Sequence, residues 1–137
     1  MNGFYTRAVF FVRDGERALA YYRDQLGFAL DWNHQVEGRA FVFQMSLMGC
    51  EIILNQTWGD SEGQAGHGRV FIGLEDDQTE ALYQHIRDRK IPTKVTHWGE
   101  HTLIINDVDG NEIFIWPGKK YKPTLEADFG GPSQVGA

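Results

Sequence analysis

Arg7-Ala8-Val9-Phe10-Phe11-Val12-Arg13-Asp14 and Arg69-Val70-Phe71-Ile72-Gly73-Leu74-Glu75-Asp76 are two versions of one opening. Each begins on an arginine, runs through a short apolar stretch and reaches an aspartate, the pattern of a strand feeding a helix. After the first copy, Ala18, Leu19, Tyr22 and Leu26 recur at helical spacing, with Glu16, Arg17, Arg23 and Asp24 on the wet side. Gly27 ends that helix. Phe28 to Val36, Arg39 to Leu47 and Cys50 to Leu54 then read as strands, separated by the hairpin-turn pairs Glu37-Gly38 and Met48-Gly49. After the second copy, Asp77 is the expected N-cap and Ala81, Leu82, His85 and Ile86 the expected buried stripe, broken by Ile91-Pro92. Thr93 to Trp98, Thr102 to Asn106 and Asn111 to Trp116 follow as strands. A β-α-β-β-β unit used twice, with a period of about sixty residues, decides the architecture.

The expected fold class is therefore α+β, within a single domain over residues 1–123. Module one covers about 6–55 and module two about 69–117. The polar, glycine-bearing stretch 56–68 is the connection and a candidate lid. Thr124 to Ala137, glycine-rich and polar, reads as a flexible tail. A chain of 137 residues is long enough to bury a real core.

Bulk properties exclude some functions. A formal charge of −6 and a pI near 5.3, with scattered Lys and Arg, disfavour nucleic acid and weakly favour a cationic ligand. Cys50 is the only cysteine, so no intrachain disulfide forms, and a reducing cytoplasm is the simplest compartment. It reads as a small buried apolar residue. Met1 to Tyr5 lacks the charged start and apolar stretch of a signal peptide, and no apolar run is long enough to span a bilayer.

Val12-Arg13-Asp14, Arg17-Ala18-Leu19-Ala20-Tyr21-Tyr22-Arg23-Asp24, Leu26-Gly27-Phe28 and the late Asp107-Val108-Asp109-Gly110-Asn111 resemble the glyoxalase, bleomycin-resistance and extradiol-dioxygenase superfamily. The resemblance runs over roughly residues 6 to 117. It implies two modules whose eight strands form a curled mixed sheet around a cup, with the helices outside, and frequently a homodimer. Enzymes of this superfamily hold a divalent metal with histidine and glutamate from four strands. Those positions correspond here to Arg7, Ile53, Arg69 and Phe114, two cations and two hydrocarbons, none of them a metal donor. In this respect the chain resembles the metal-free, antibiotic-binding branch.

Strand alternation indicates which side chains face the cup. Ile52, Leu54, Ile113 and Ile115 belong under the helices. That leaves Glu51, Ile53 and Asn55 on one inner strand and Glu112, Phe114 and Trp116 on its counterpart, with Arg7, Val9, Phe11 and Arg69, Phe71, Gly73 on the two opening strands. Trp32, Trp58 and Trp98 lie on strands or loops bordering the same space. His101 joins them because Trp98-Gly99-Glu100-His101 matches a ligand-contacting tryptophan-glycine turn of the antibiotic-binding relatives. Flat aromatic walls with a few carboxylates suit a planar or cationic molecule.

Competing readings rest on fewer residues. A displaced metal site from His67, Glu51 and Glu112 would move each donor ~6 to 7 Å along its strand. The two glutamates have an alternative use as ion-pair partners of Arg7 or Arg69. Asp107 to Asn111 begins like a calcium loop but has Gly118 where a bidentate glutamate belongs, so it reads as a hairpin turn with Gly110 at positive φ. Ser46 and Ser61 sit in no nucleophile motif, and His34 and His85 read as surface or packing residues.

The expected function is a binding protein that sequesters an aromatic or cationic small molecule, with no cofactor, no nucleic acid and no membrane. The alternatives are a lyase, isomerase or dioxygenase with a displaced metal site, and a subunit whose cup is filled by its own side chains.

Overall fold

In the computed structural model, which describes residues 5–95 and 102–117, the repeat is visible as two copies of one sheet. The first contains β1 (Ala8–Val12), β2 (Ala29–Val36), β3 (Arg39–Leu47) and β4 (Cys50–Gln56) in the order β1-β4-β3-β2. The second contains β5 (Arg69–Gly73), β6 (Lys94–Val95), β7 (Leu103–Asn106) and β8 (Glu112–Trp116) in the matching order β5-β8-β7-β6. In each, the opening strand pairs parallel with the last and the remaining pairs are antiparallel. The eight strands are thus hydrogen-bonded as two four-stranded mixed sheets.

Asp14 explains the first strand-to-helix corner. Its backbone is extended and its carboxylate accepts the Arg17 N–H at 3.2 Å, which satisfies one orphan donor of α1 (Gly15–Ala20). The helix continues through a π-helical stretch, Tyr21–Leu26, and stops at Gly27 in the left-handed region with φ 83°. Ala18, Leu19, Tyr22 and Leu26 are buried as their spacing predicts. Each large side chain among them contributes about 1.5 to 3 kcal/mol of burial. Beneath lie Phe43, Met45, Ile52 and Leu54, all fully buried. Gly15 is where the helix start meets the sheet: its N–H donates to Gln56 Oε1 at 2.7 Å, and a β-carbon there would stand 2.7 Å from the Phe43 ring.

The two predicted hairpins form, with Glu37-Gly38 and Met48-Gly49 all at positive φ, the primed-turn geometry that follows strand twist. The second helix, α2 (Asp76–Arg89), corrects two expectations. Its N-cap is Glu75, not Asp77, because Gln78 reaches back to accept the Glu75 N–H at 3.1 Å in a capping box. Its buried stripe is Thr79, Leu82, Tyr83 and Ile86, whereas Ala81 is exposed and His85 half-buried. The bulkier Tyr83 takes the inward position that a short alanine would leave underfilled.

Contacts divide the chain into two compact units. The first extends to Gly68 and includes Val108–Asn111, the turn between β7 and β8. Within it Asp109 Oδ1 accepts from the Arg13 backbone N–H at 3.2 Å and from its guanidinium at 3.1 Å, with Arg17 at 3.6 Å. Asn111 donates to the Phe11 carbonyl at 3.1 Å and accepts from the Gly68 N–H at 2.7 Å. The stretches that carried the family resemblance, Val12 to Arg17 and Asp107 to Asn111, are therefore bonded to one another. Gly110 has positive φ, as expected. No helix among the described residues is long and apolar enough to cross a membrane.

Candidate functional site

Register fixes the open face of the first sheet. Val9 lies beside Ile53 and Phe11 beside Asn55 across the parallel pair, while Val42, Gln44 and Ser46 stand opposite Asn55, Ile53 and Glu51. On the edge strand, Trp32 and His34 pair with Gln44 and Val42. A register irregularity between Leu30 and Trp32 places Asp31 within reach of the same face.

A polar ladder crosses that face. The Arg7 guanidinium pairs with Glu51 at 3.0 Å and donates to Gln44 Oε1 at 3.2 Å. The Gln44 amide donates to Asp31 at 2.9 Å, and the Ser46 hydroxyl donates to the other Asp31 oxygen at 2.8 Å. Gln44 is buried, so its two bonds are the compensation its position demands. The ladder joins residues of β2, β3 and β4 to Arg7, which immediately precedes β1.

Beside the ladder is an aromatic wall. Trp58, at the end of β4, sets its ring 6.5 Å from Phe11 and 5.6 Å from Phe41, yet remains 56% exposed. Its backbone is held from below: Ser61 Oγ accepts the Trp58 N–H at 2.8 Å and donates to the Trp58 carbonyl at 2.9 Å, at the start of a 3-10 helix, Gly59–Gln64. Trp32 is exposed on the neighbouring edge. Between wall and ladder, the Oδ1 atom of Asn55 is buried and has no hydrogen-bond partner among the described residues.

The second sheet repeats the ion pair at the equivalent position. Arg69 and Glu112 are register partners, and their side chains meet at 2.8 Å. The Arg69 guanidinium lies 5.7 Å from the centre of the Phe114 ring. The surroundings differ, since Ile104 and Phe114 are buried on this face, Trp116 is half-buried and Phe71 stands 51% exposed. The two glutamates are thus partners of the two arginines, the second of the uses the sequence allowed them.

Of the residues expected at the site, Arg7, Trp32, Glu51, Ile53, Asn55 and Trp58 come together on the first face, and Arg69, Phe71, Glu112, Phe114 and Trp116 on the second. Trp98 and His101 lie outside the described residues. Four participants were missed: Asp31, Gln44 and Ser46, because a side-chain ladder across strands leaves no sequence motif, and Phe41, because alternation assigns it to the other face. The Ser61 lock was legible only as a serine three residues after Trp58.

The donor set does not fit a divalent ion. Among the described residues no three His, Cys, Asp or Glu side chains converge. Glu51 and Glu112 are engaged by guanidinium groups, and His67 is exposed. Cys50 offers no nucleophile, since burial, helped by the Glu51 charge, pushes its thiol up to about 11.

A sequence profile of the Glyoxalase/Bleomycin resistance protein/Dioxygenase superfamily matches residues 5–115. The chain belongs to this superfamily. No curated protein sequence gives a significant match. Among solved structures, a glyoxalase/bleomycin resistance protein from Catenulispora acidiphila is similar with a TM-score of 0.63 at 21% identity, covering 82% of this chain and 96% of the other. TnmS3, an antibiotic binding protein from Streptomyces sp. CB03234, is similar with a TM-score of 0.54 at 21% identity, covering 84% and 97%. The fosfomycin resistance protein FosX from Mesorhizobium loti gives 0.54 at 12% identity, covering 90% and 98%. At these identities the likeness shows the fold.

Proposed function

We propose that this protein is a metal-independent binding protein of the cytoplasm, acting as a homodimer, that sequesters a planar aromatic small molecule carrying a positive or hydrogen-bond-donating group. The observation that carries the reading is the Arg–Glu pair repeated at equivalent positions of both sheets, Arg7–Glu51 and Arg69–Glu112. It fills with guanidinium two of the four positions where catalytic relatives are expected to place metal donors, and Ile53 and Phe114 occupy the others. The described residues bring together neither three metal donors nor an activated cysteine, which supports adhesion as the use of these faces.

The chemistry of the first face favours that ligand class. Trp58, backed by Phe11 and Phe41, presents a flat ring to solvent, and stacking or cation-π contact with such a ring supplies about 0.5 to 2 kcal/mol. The ladder has one guanidinium, Arg7, against two carboxylates, Glu51 and Asp31, so the face is net negative. Antibiotic binding in the similar TnmS3 is in keeping with this role.

Titration with a bleomycin-type glycopeptide, read by tryptophan fluorescence, tests the reading. Saturable quenching at micromolar concentration that is lost in Trp58→Ala is expected. Absence of quenching by this and by simpler cationic polycyclic aromatics, with the protein folded, would overturn it.

A further inference from the structure

The geometry points to Asn55 as a specificity-determining residue, whose unpartnered carbonyl is kept for a hydrogen-bond donor on the edge of an aromatic ligand lying against Trp58. This deepens the binding reading above and rests on it.

Asn55 occupies an unusual position for an amide. Its register neighbours on the open face are Phe11 on one side and Val42 on the other, and Ile53 precedes it on the same face of β4. None of the three has a donor. The ladder that satisfies Gln44, Asp31 and Ser46 ends short of it, and its Oδ1 stays buried without a partner. A buried acceptor in that state destabilises the fold, and a leucine or valine would suit the apolar neighbours better. Valine also fits a strand. A polar group held among apolar neighbours, beyond the end of the ladder, is explained if something outside the chain completes it.

Position narrows what that something is. Phe11, the register partner of Asn55, is also the residue whose ring lies 6.5 Å from Trp58. A planar molecule stacked on the exposed Trp58 ring therefore has its edge beside the Asn55 amide. An N–H or O–H on that edge meets Oδ1 after a small side-chain rotation, whereas a ring lacking a donor leaves Oδ1 unsatisfied. Discrimination of this kind is strong because the penalty falls on the molecule without the donor.

A matched pair of neutral probes isolates the effect. 2-Naphthol and 2-methoxynaphthalene have the same ring system, and only the first can donate. Calorimetric titration of the full chain is expected to show 2-naphthol binding about five- to tenfold more tightly, one hydrogen bond's worth of preference. In Asn55→Leu, and in Asn55→Val as a second variant, the preference should collapse to within about twofold while the melting temperature stays level or rises. Equal binding of both probes to the natural protein overturns the inference and leaves the binding reading standing. So does a fall in melting temperature in both variants, which marks Asn55 as structural. Binding of neither probe to a folded natural protein also overturns this inference, whereas the binding reading falls only if the cationic aromatics above fail to bind as well.

Discussion

The two sheets share strand order, register and an Arg–Glu pair, but they treat that pair differently. In the first, Arg7 has a side chain only 21% exposed and is tied through Gln44 to Asp31 and Ser46. In the second, Arg69 is 67% exposed and rests on Glu112 and the Phe114 ring. The central strands follow suit: β7 and β8 bury Leu103, Ile104 and Ile105 and Ile113, Phe114 and Ile115 in unbroken apolar runs, whereas on the open face of β3 and β4 the buried residue is the polar Gln44, and Val42, Ile53 and Asn55 are partly open. The two copies share a backbone plan, but the central strands of one are a packed apolar layer and the open face of the other is polar and aromatic. A repeated fold does not imply a repeated role.

The comparison breaks most sharply where the first unit depends on the turn at 108–111. Gly66 has φ 84°, and a β-carbon there would overlap the Asp109 carbonyl, so Gly66→Ala should destabilise by roughly 3 kcal/mol or more. Hydrogen exchange should show the loss first in β1, whose Phe11 carbonyl accepts from Asn111, and in its pairing partner β4. Equal loss of protection in β7 and β8 would contradict the division into units.

Arginine removal is next in size. Arg7→Ala strands Glu51 and the buried Gln44 carbonyl and should cost about 2 to 3 kcal/mol in chemical denaturation. Arg69→Ala, from a mostly exposed position, should cost about 1 kcal/mol and shrink further in salt. Equal costs would mean the ladder adds nothing.

A smaller effect concerns the wall. Ser61→Ala frees the Trp58 backbone and should weaken aromatic-ligand binding several-fold, with a stability loss of about 1 kcal/mol. Phe71→Ala on the exposed part of the second face should change stability little, within about 0.5 kcal/mol.

Smallest is the pH response of Cys50. Its folded thiol is raised to about 11, so the unfolded chain ionises first. Stability from this group is complete below the ordinary thiol range and is lost as pH rises from about 9 towards 11. Alkylation by iodoacetamide at pH 8.5 should be slow until denaturant is added; rapid alkylation of the native protein would disprove the shift.

What the sequence made legible was what depends on local spacing. The repeat, the helix at Ala18 to Leu26, both primed turns and the inward parity of Ile52, Leu54, Ile113 and Ile115 are all periodic or conformational signals carried by consecutive residues. The pairing of Glu51 with Arg7 and of Glu112 with Arg69 was open, because two strands had to come into register before either pair could be chosen. Asp31, Gln44 and Ser46 were invisible for the same reason, compounded by the irregularity in β2 that upsets its alternation. The cap at Glu75 was misplaced by two residues because Asp77 is the better cap by residue type, while Gln78 supplies the reciprocal bond that decides the matter.

The central claim is that Arg7, Ile53, Arg69 and Phe114 occupy the positions where the family's enzymes are expected to hold a metal, and that the nearby Glu51 and Glu112 are engaged by the two arginines. Elemental analysis of protein purified without chelator, then equilibrated with nickel, zinc, iron and manganese and desalted, measures this directly. Well below one-tenth of an equivalent of any metal per chain is the predicted result. One equivalent retained by the natural protein and lost in Glu51→Ala or Glu112→Ala would contradict it.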